Sequence, residues 1–447
     1  MPTGGIWSRK SYVGLATAFA VLIAGLLWYG WQRFPLGFGI LGMKSVAAPN
    51  YQTEAAAISA DGARVAILHM DPTSGLRAVE VRNVASDQQV ANVVVPRGID
   101  HPGGGQFYIS PRLRFCDNGK YLAGYAPTDR LFVYDAGTMQ LRSQVYLSTL
   151  RFTKDDGIEG TPGAGILLPM VEFDCAASSS IAVLGFWGDL GVDAIKLIDL
   201  ETGEEVNDLG GAYRNLTFKG FYHRYLGDGL AISPDGSEVA VKFSMSGSSG
   251  VDVVDAKSGQ LMKSVELGDS FRVAHKLAFA GESALMIGEP ACQPNMTCEP
   301  ASPPGIRKVR VWDFGNTGAV SLLGWPGNQT YRFFGSSADG KVLFAYSGKE
   351  RFCKSCNSKA GEIEVDNARF TVWDRAQGKV VALSPSLRVE THTCPWLTFG
   401  ACESYQQAPE LEMSSDGRSI LAFWPQGDFP RTKPGSGVGD LEVYTLR

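Results

Sequence analysis

The residues in this chain best able to hold a metal, carry electrons or attack a substrate are its 8 cysteines and 5 histidines. Six cysteines form three close pairs, Cys292 with Cys298, Cys353 with Cys356 and Cys394 with Cys402, while Cys116 and Cys175 stand further apart. An even count in an exported chain reads as disulfides, and each near pair closes a small loop worth about 2–3 kcal/mol if unstrained. Cys116 and Cys175 occupy similar places in consecutive repeats and are expected to bridge them. Cys353-Lys354-Ser355-Cys356 has three readings: a disulfide, a zinc site recruiting Cys394 or Cys402, and a redox pair. Haem attachment would need histidine next, where Asn357 stands. An oxidising compartment favours the disulfide.

His69, His101, His223, His275 and His392 show no metal-ligand spacing and are expected to be satisfied or solvated side chains. A Gly-x-Ser-x-Gly elbow is missing, and Gly103-Gly104-Gly105 lacks the Lys-Ser/Thr that phosphate chemistry requires. Asp155-Asp156 with Glu159 clusters carboxylates without fitting a calcium loop. The expectation is therefore no catalytic residue, no metal and no cofactor. One segment combines aromatic and cationic side chains, Phe221, Tyr222, His223, Arg224 and Tyr225. Such residues supply interface hot spots, although aromatic packing between repeats would use them equally well.

The elements that must carry these residues begin with an apolar stretch. No charged residue occurs from Ser11 to Gln32, enough helix at about 1.5 Å per residue to cross a bilayer. Trp28, Tyr29 and Trp31 follow at headgroup level, and Arg9 and Lys10 precede it, which keeps residues 1–10 cytoplasmic and exports the rest. A cleaved signal peptide is the alternative. Its apolar region would be shorter, and the only small-x-small site, near Val46-Ala47-Ala48, lies far downstream. Glycine is abundant at 53 residues, and charged residues make up 19% with a net charge of -5, as in a turn-rich all-β protein. The mild acidity and the lack of a Lys/Arg cluster exclude nucleic acid as a partner.

Beyond the apolar stretch the chain repeats. Asp-Gly or Asn-Gly turns recur at Asp61-Gly62, Asn118-Gly119, Asp235-Gly236, Asp339-Gly340 and Asp416-Gly417, each followed by a short apolar run. A second series ends strands in aspartate: Asp135, Asp199, Asp255, Asp313 and Asp374. The unit reads strand, tight turn, strand, variable loop, strand ending in Asp, tight turn, strand. Seven such units start near Glu54, Tyr108, Leu167, Leu230, Lys276, Tyr331 and Glu410, and the last stops after its third strand. Ser233-Pro234-Asp235-Gly236 and Val311-Trp312-Asp313 resemble the WD40 and related bacterial seven-bladed repeats (PD40 and YVTN types) over Glu54 to Arg447. The Gly-His dipeptide of eukaryotic WD40 repeats is missing, so the resemblance implies architecture rather than a partner.

The expected fold is an all-β, seven-bladed propeller of four-stranded antiparallel blades over 54–447, preceded by one transmembrane α-helix at 11–32. Residues 33–53 are a linker containing a closing strand, Phe38 to Lys44, which supplies the missing outer strand. Tight turns gather on one face and the long connections, including Gly348 to Asn367 and Glu390 to Ala408, on the other. The long-loop face is the expected interaction surface. The functional expectation is a membrane-anchored, extracytoplasmic binding or scaffold module for a protein or small ligand, more plausibly no enzyme. The alternative is a periplasmic propeller enzyme, a lactonase or quinone-dependent dehydrogenase, with acids or histidines converging on a metal or cofactor at the channel mouth.

Overall fold

The computed structural model describes residues 39–40, 42–47, 52–71, 73–96, 111–126, 130–147, 170–188, 191–209, 229–245, 248–268, 276–290, 306–315, 319–322, 330–352, 363–385, 387, 390–392, 405–407, 409–424 and 441–446. The apolar stretch at 11–32 lies outside them, and among the described residues no helix is long and apolar enough to cross a membrane.

Two local devices set the blade pattern. At the first turn, Ser59 Oγ donates to Asp61 Oδ1 at 2.6 Å and accepts the Arg64 N–H at 2.9 Å, while Asp61 Oδ1 takes the Ala63 N–H at 3.0 Å. The same Ser–Asp bond recurs between Ser233 and Asp235, Ser337 and Asp339, and Ser414 and Asp416, at 2.7, 2.7 and 2.6 Å. The serine hydrogen bond holds the Asp61 carboxyl below its ordinary range. Gly340 follows at φ 68, where a side chain would be strained and would run into the Ala280 backbone of the preceding blade. At the second turn the strand-ending aspartate accepts backbone N–H groups ahead of it. Asp135 Oδ1 takes those of Gly137 and Thr138 at 3.1 and 2.8 Å, and Asp255 takes that of Ser258 at 2.6 Å.

These turns join four antiparallel strands per blade. The inner strands are Gln52–Ile58, Arg112–Cys116, Met170–Cys175, Leu230–Ile232, Lys276–Phe279, Thr330–Ser336 and Glu410–Met413, one for each of seven blades. Second strands such as Tyr121–Tyr125 and Ser419–Phe423 are buried throughout because both faces of a blade are covered by its neighbours. The core accordingly divides into clusters at the blade interfaces. Between the seventh and first blades, Leu421, Phe423 and Val443 meet Ile58, Val65 and Ile67. On the tight-turn face the blades are also joined by backbone hydrogen bonds between turns, such as Ser178 N–H to Pro234 O at 2.8 Å and Asp416 N–H to Ala60 O at 3.0 Å.

The seventh blade takes its outer strand from the start of the chain. Gly42–Val46 pairs antiparallel with Leu441–Thr445, Met43 opposite Tyr444, and Val46 is completely buried. The pairing segment lies further along than Phe38 to Lys44. Just before it, Gly39–Ile40 adds in parallel to the outer edge of the sixth blade, opposite Ala382 and Leu383. The incoming chain is thus stitched to two blades. Two loop expectations also change. Val342–Phe352 and Ile363–Asp374 form a long hairpin reaching well into the region read as a loop from Gly348 to Asn367. A short hairpin, Glu390–His392 with Tyr405–Gln407, stands within the connection from Glu390 to Ala408.

Cys116 and Cys175 form a disulfide between the second and third blades, with Cα atoms 5.8 Å apart. The expected bridges from Cys292 to Cys298, from Cys353 to Cys356 and from Cys394 to Cys402 are a different matter. All six of these cysteines lie outside the described residues, so the three small-loop bridges stay expectations of the sequence.

Candidate functional site at the central channel

All seven inner strands contribute to one cavity of about 150 Å³ on the axis of the ring. Its wall mixes apolar residues, Ile58, Phe115, Ile232, Phe279, Phe334 and Met413 among them, with polar surface that includes Ser336, Ser337 and four charged side chains: Arg114, Asp174, Lys276 and Glu412.

Strand alternation explains how they arrive. On the second blade, Leu113 and Phe115 pack toward the first blade, whereas Cys116 packs toward the third. Residues on the face turned to the following blade, two positions before each first turn, are Ala57, Arg114, Asp174, Ala231, Ala278, Gly335 and Glu412. Four blades place a small residue at this level and three place a charge. Arg114 reaches past the first blade to the seventh, where its Nη1 lies 3.5 Å from Glu412 Oε1; its Nε is 3.9 Å from Asp174 Oδ1. One step earlier on the same strands Arg112 and Glu410 repeat the crossing at 3.7 Å.

An inner strand has a ladder on one side only, so alternate N–H groups face the channel. The acids cap two of these. Asp174 Oδ2 accepts the Ile232 N–H at 3.2 Å, and Glu412 accepts the backbone of Ile58. Burial raises the Asp174 carboxyl above its ordinary value against the pull of Arg114. Burial likewise pushes Glu412 up to about 7, with the Asp174 charge adding to the rise and Arg114 and Lys276 opposing it. Between the third and fourth blades, Glu172 Oε1 accepts the Gly229 N–H at 3.1 Å, and burial lowers nearby Lys242 to about 8 against the attraction of Glu172. Chemically, the channel offers two cations and two acids, one of which exchanges its proton near neutrality.

Of the residues singled out from the sequence, Cys175 lines the cavity. Phe221, Tyr222, His223, Arg224 and Tyr225 lie outside the described residues, as do Asp155, Asp156 and Glu159. The cysteines Cys292, Cys298, Cys353, Cys356, Cys394 and Cys402 share that position, so no metal or redox reading of them is placed at the channel. His69 is buried on the second strand of the first blade, and burial lowers its pKa. Among the described residues, no group of three or more His, Cys, Asp and Glu is arranged to hold a metal ion. Sequence reasoning missed the channel charges, although a signal exists. Arg112-Leu113-Arg114 and Glu410-Leu411-Glu412 alternate charge with leucine just before a tight turn, where an inner strand ought to be apolar on both faces.

No family model and no curated protein matches the sequence. Among solved structures, the chain is similar to Kuenenia stuttgartiensis hydrazine synthase at 16% identity, covering 84% of this chain and 94% of that one with a TM-score of 0.45. It is also similar to U3-55K at 12% identity, 91% and 98% coverage and a TM-score of 0.47. The WD40 repeats of RRP9 match at 12% identity, 91% and 97% coverage and a TM-score of 0.48. At such identities and scores nothing about activity transfers.

Proposed function

We propose that this chain is a membrane-tethered, extracytoplasmic propeller that binds a protein or small ligand on its long-loop face. The observation that carries the reading is the Cys116–Cys175 bridge between the second and third blades, because such bonds persist in oxidising compartments and are rare in the cytosol. The uncharged stretch from Ser11 to Gln32 and the basic residues before it support a tether with the ring on the far side of the membrane. The tight-turn face is tied together blade to blade by backbone hydrogen bonds, which leaves the longer connections as the variable part of a rigid scaffold.

Reporter fusions to the C-terminus test the location: activity of an export-dependent reporter is expected, and activity of a cytoplasm-only reporter would overturn it. A photo-crosslinking residue in place of Tyr222, compared with one at Lys257 in a tight turn, tests the face. Adducts are expected at the first position; equal labelling at both would remove the case for the long-loop face. One observation favours the enzyme reading, namely the convergence of Asp174 and Glu412 in the channel with Glu412 titrating at about 7. Both acids also cap backbone N–H groups and face Arg114, a structural task that the binding reading explains without turnover.

A further inference from the structure

The start of the chain joins the ring in a defined direction. Gly39–Ile40 runs parallel to Lys379–Leu383, the outer strand of the sixth blade. That outer strand follows a tight turn, in which Asp374 Oδ1 accepts the Gln377 N–H at 2.9 Å and Gly378 sits at φ 61. It therefore leads away from the tight-turn face, and the parallel strand, followed backward from Gly39, points toward that face. Gly42–Val46 takes the same course on the seventh blade. Its antiparallel partner, Leu441–Thr445, ends at the tight-turn side, where the Leu446 N–H donates to Arg418 O at 2.8 Å. We infer that the ring stands with its tight-turn face against the lipid headgroups and the long hairpin of the sixth blade directed away from them. The inference rests on the membrane-tethered reading and adds to it which face meets lipid and which meets a partner.

Chain length holds the ring close to the bilayer. The uncharged stretch ends at Gln32, and the seven steps from there to Gly39 span at most about 25 Å. The outer edge of the sixth blade can stand no further than that from the membrane surface. The same blade carries the element that makes the inverted orientation unfavourable. Its second strand, Val342–Phe352, has 11 residues, whereas the second strand of the seventh blade, Ser419–Phe423, has 5. At about 3.3 Å per residue the hairpin rises roughly 20 Å above its neighbour on the long-loop side. Its outer part pairs Lys349 opposite Asp366 and Arg351 opposite Glu364. An inverted ring would drive these charged positions toward hydrocarbon, which excludes them. The tight-turn face has no such projection. Its first turns close within a few residues, as where the Gly62 N–H returns to Ser59 O at 2.9 Å. Exposed charges of both signs on it, Lys120, Glu201, Lys341 and Arg418, suit a headgroup surface rather than the bilayer interior. A partner arriving through the aqueous space then meets the sixth-blade hairpin first.

Energy transfer to the bilayer tests the orientation. The full chain is placed in nanodiscs of phosphatidylcholine and phosphatidylglycerol that contain a headgroup-labelled acceptor lipid. A donor dye is attached through p-azidophenylalanine, in place of Gln377 in one variant and of Lys349 in another, which adds no thiol beside the 8 cysteines. Lys349 stands opposite Asp366, eight residues along the strand from Asp374. That is a separation of about 26 Å from the tight turn, so transfer from position 377 is expected to be at least about twofold higher. Arg418, exposed in the first turn of the seventh blade, replaces Gln377 if that variant misfolds. Equal transfer from the two positions, or higher transfer from 349, with the chain co-eluting with the discs overturns the orientation and leaves the tether standing. A folded chain that elutes apart from the discs, without transfer from either position, overturns the tether and the orientation together.

Discussion

Removing the bridge between the second and third blades by the double substitution of Cys116→Ala with Cys175→Ala tests how much of the ring's stability is covalent. The two sulfurs close a loop with a sequence separation of 59. Cross-linking such a loop removes roughly 14 cal/mol/K from the entropy of the unfolded chain, or about 4 kcal/mol at room temperature. Cys116 is fully buried, and the space left by its sulfur adds about 1 kcal/mol. Unfolding of roughly 400 residues carries an entropy near 0.8 kcal/mol/K, so the midpoint is expected to fall by about 5–6 °C. Calorimetry of the wild type and the variant, each with and without reductant, measures this directly. Reductant should lower the wild-type midpoint by more than the variant's, the difference matching this bridge's share. The bridges expected at Cys292–Cys298, Cys353–Cys356 and Cys394–Cys402 are reduced in both proteins. Hydrogen exchange should locate the loss at the seam where Tyr125 Oη donates to Val171 O at 2.8 Å. A fall smaller than about 1 °C, or an equal effect of reductant on both proteins, would refute the reasoning.

Three further outcomes follow from the same contacts. Val46→Asp places a charge in the fully buried cluster of the closing strand and is expected to cost at least about 3 kcal/mol, seen as aggregation or a lowered melting midpoint, whereas Met43→Asp, 53% exposed on the same strand, should change it by less than about 0.5 kcal/mol. Gly340→Ala forces a side chain onto a residue at φ 68 and into the Ala280 backbone; a loss of about 2 kcal/mol or more is expected in chemical denaturation, and a neutral result would show that the sixth-blade turn can shift. The Glu412 carboxyl is raised in the folded state from an ordinary 4.5 to about 7, so the folded protein binds the extra proton and stability is greatest below about pH 4.5. It declines as pH rises toward 7, by up to about 3 kcal/mol; Glu412→Gln should flatten that part of the stability profile, and a profile of unchanged slope would refute the assignment.

Much of the architecture was legible because it is written locally. Ser59, Asp61 and Gly62 fold their own turn from atoms within five residues of one another, and Asp135 or Asp255 closes the next turn in the same way. A pattern decided over so short a span can be read off the chain. Cys116 and Cys175 were legible because they hold nearly equivalent places in adjacent repeats. The channel was not. Arg114 and Glu412 stand almost 300 residues apart and meet only when the ring closes past Ala57, so neither residue carries a local mark of its partner. Register was the other shortfall. Apolar character alone did not decide between Phe38 to Lys44 and Gly42–Val46, since Ile40 and Leu41 are as apolar as Val46; the division of the segment between the sixth and seventh blades settles it.

The pairing of Met43 with Tyr444 also has a consequence in time. The strand that seals the ring is synthesised roughly 400 residues ahead of its partner. While the chain emerges at about 5–20 residues per second, Gly42–Val46 cannot pair with Leu441–Thr445 until that distant segment has been made. Contacts of such long range fold slowly, so the nascent propeller persists as an open arc with an unpaired edge at each end. That delay leaves time for the disulfide between the second and third blades to form while the arc is still open, before the closing strand joins its partner.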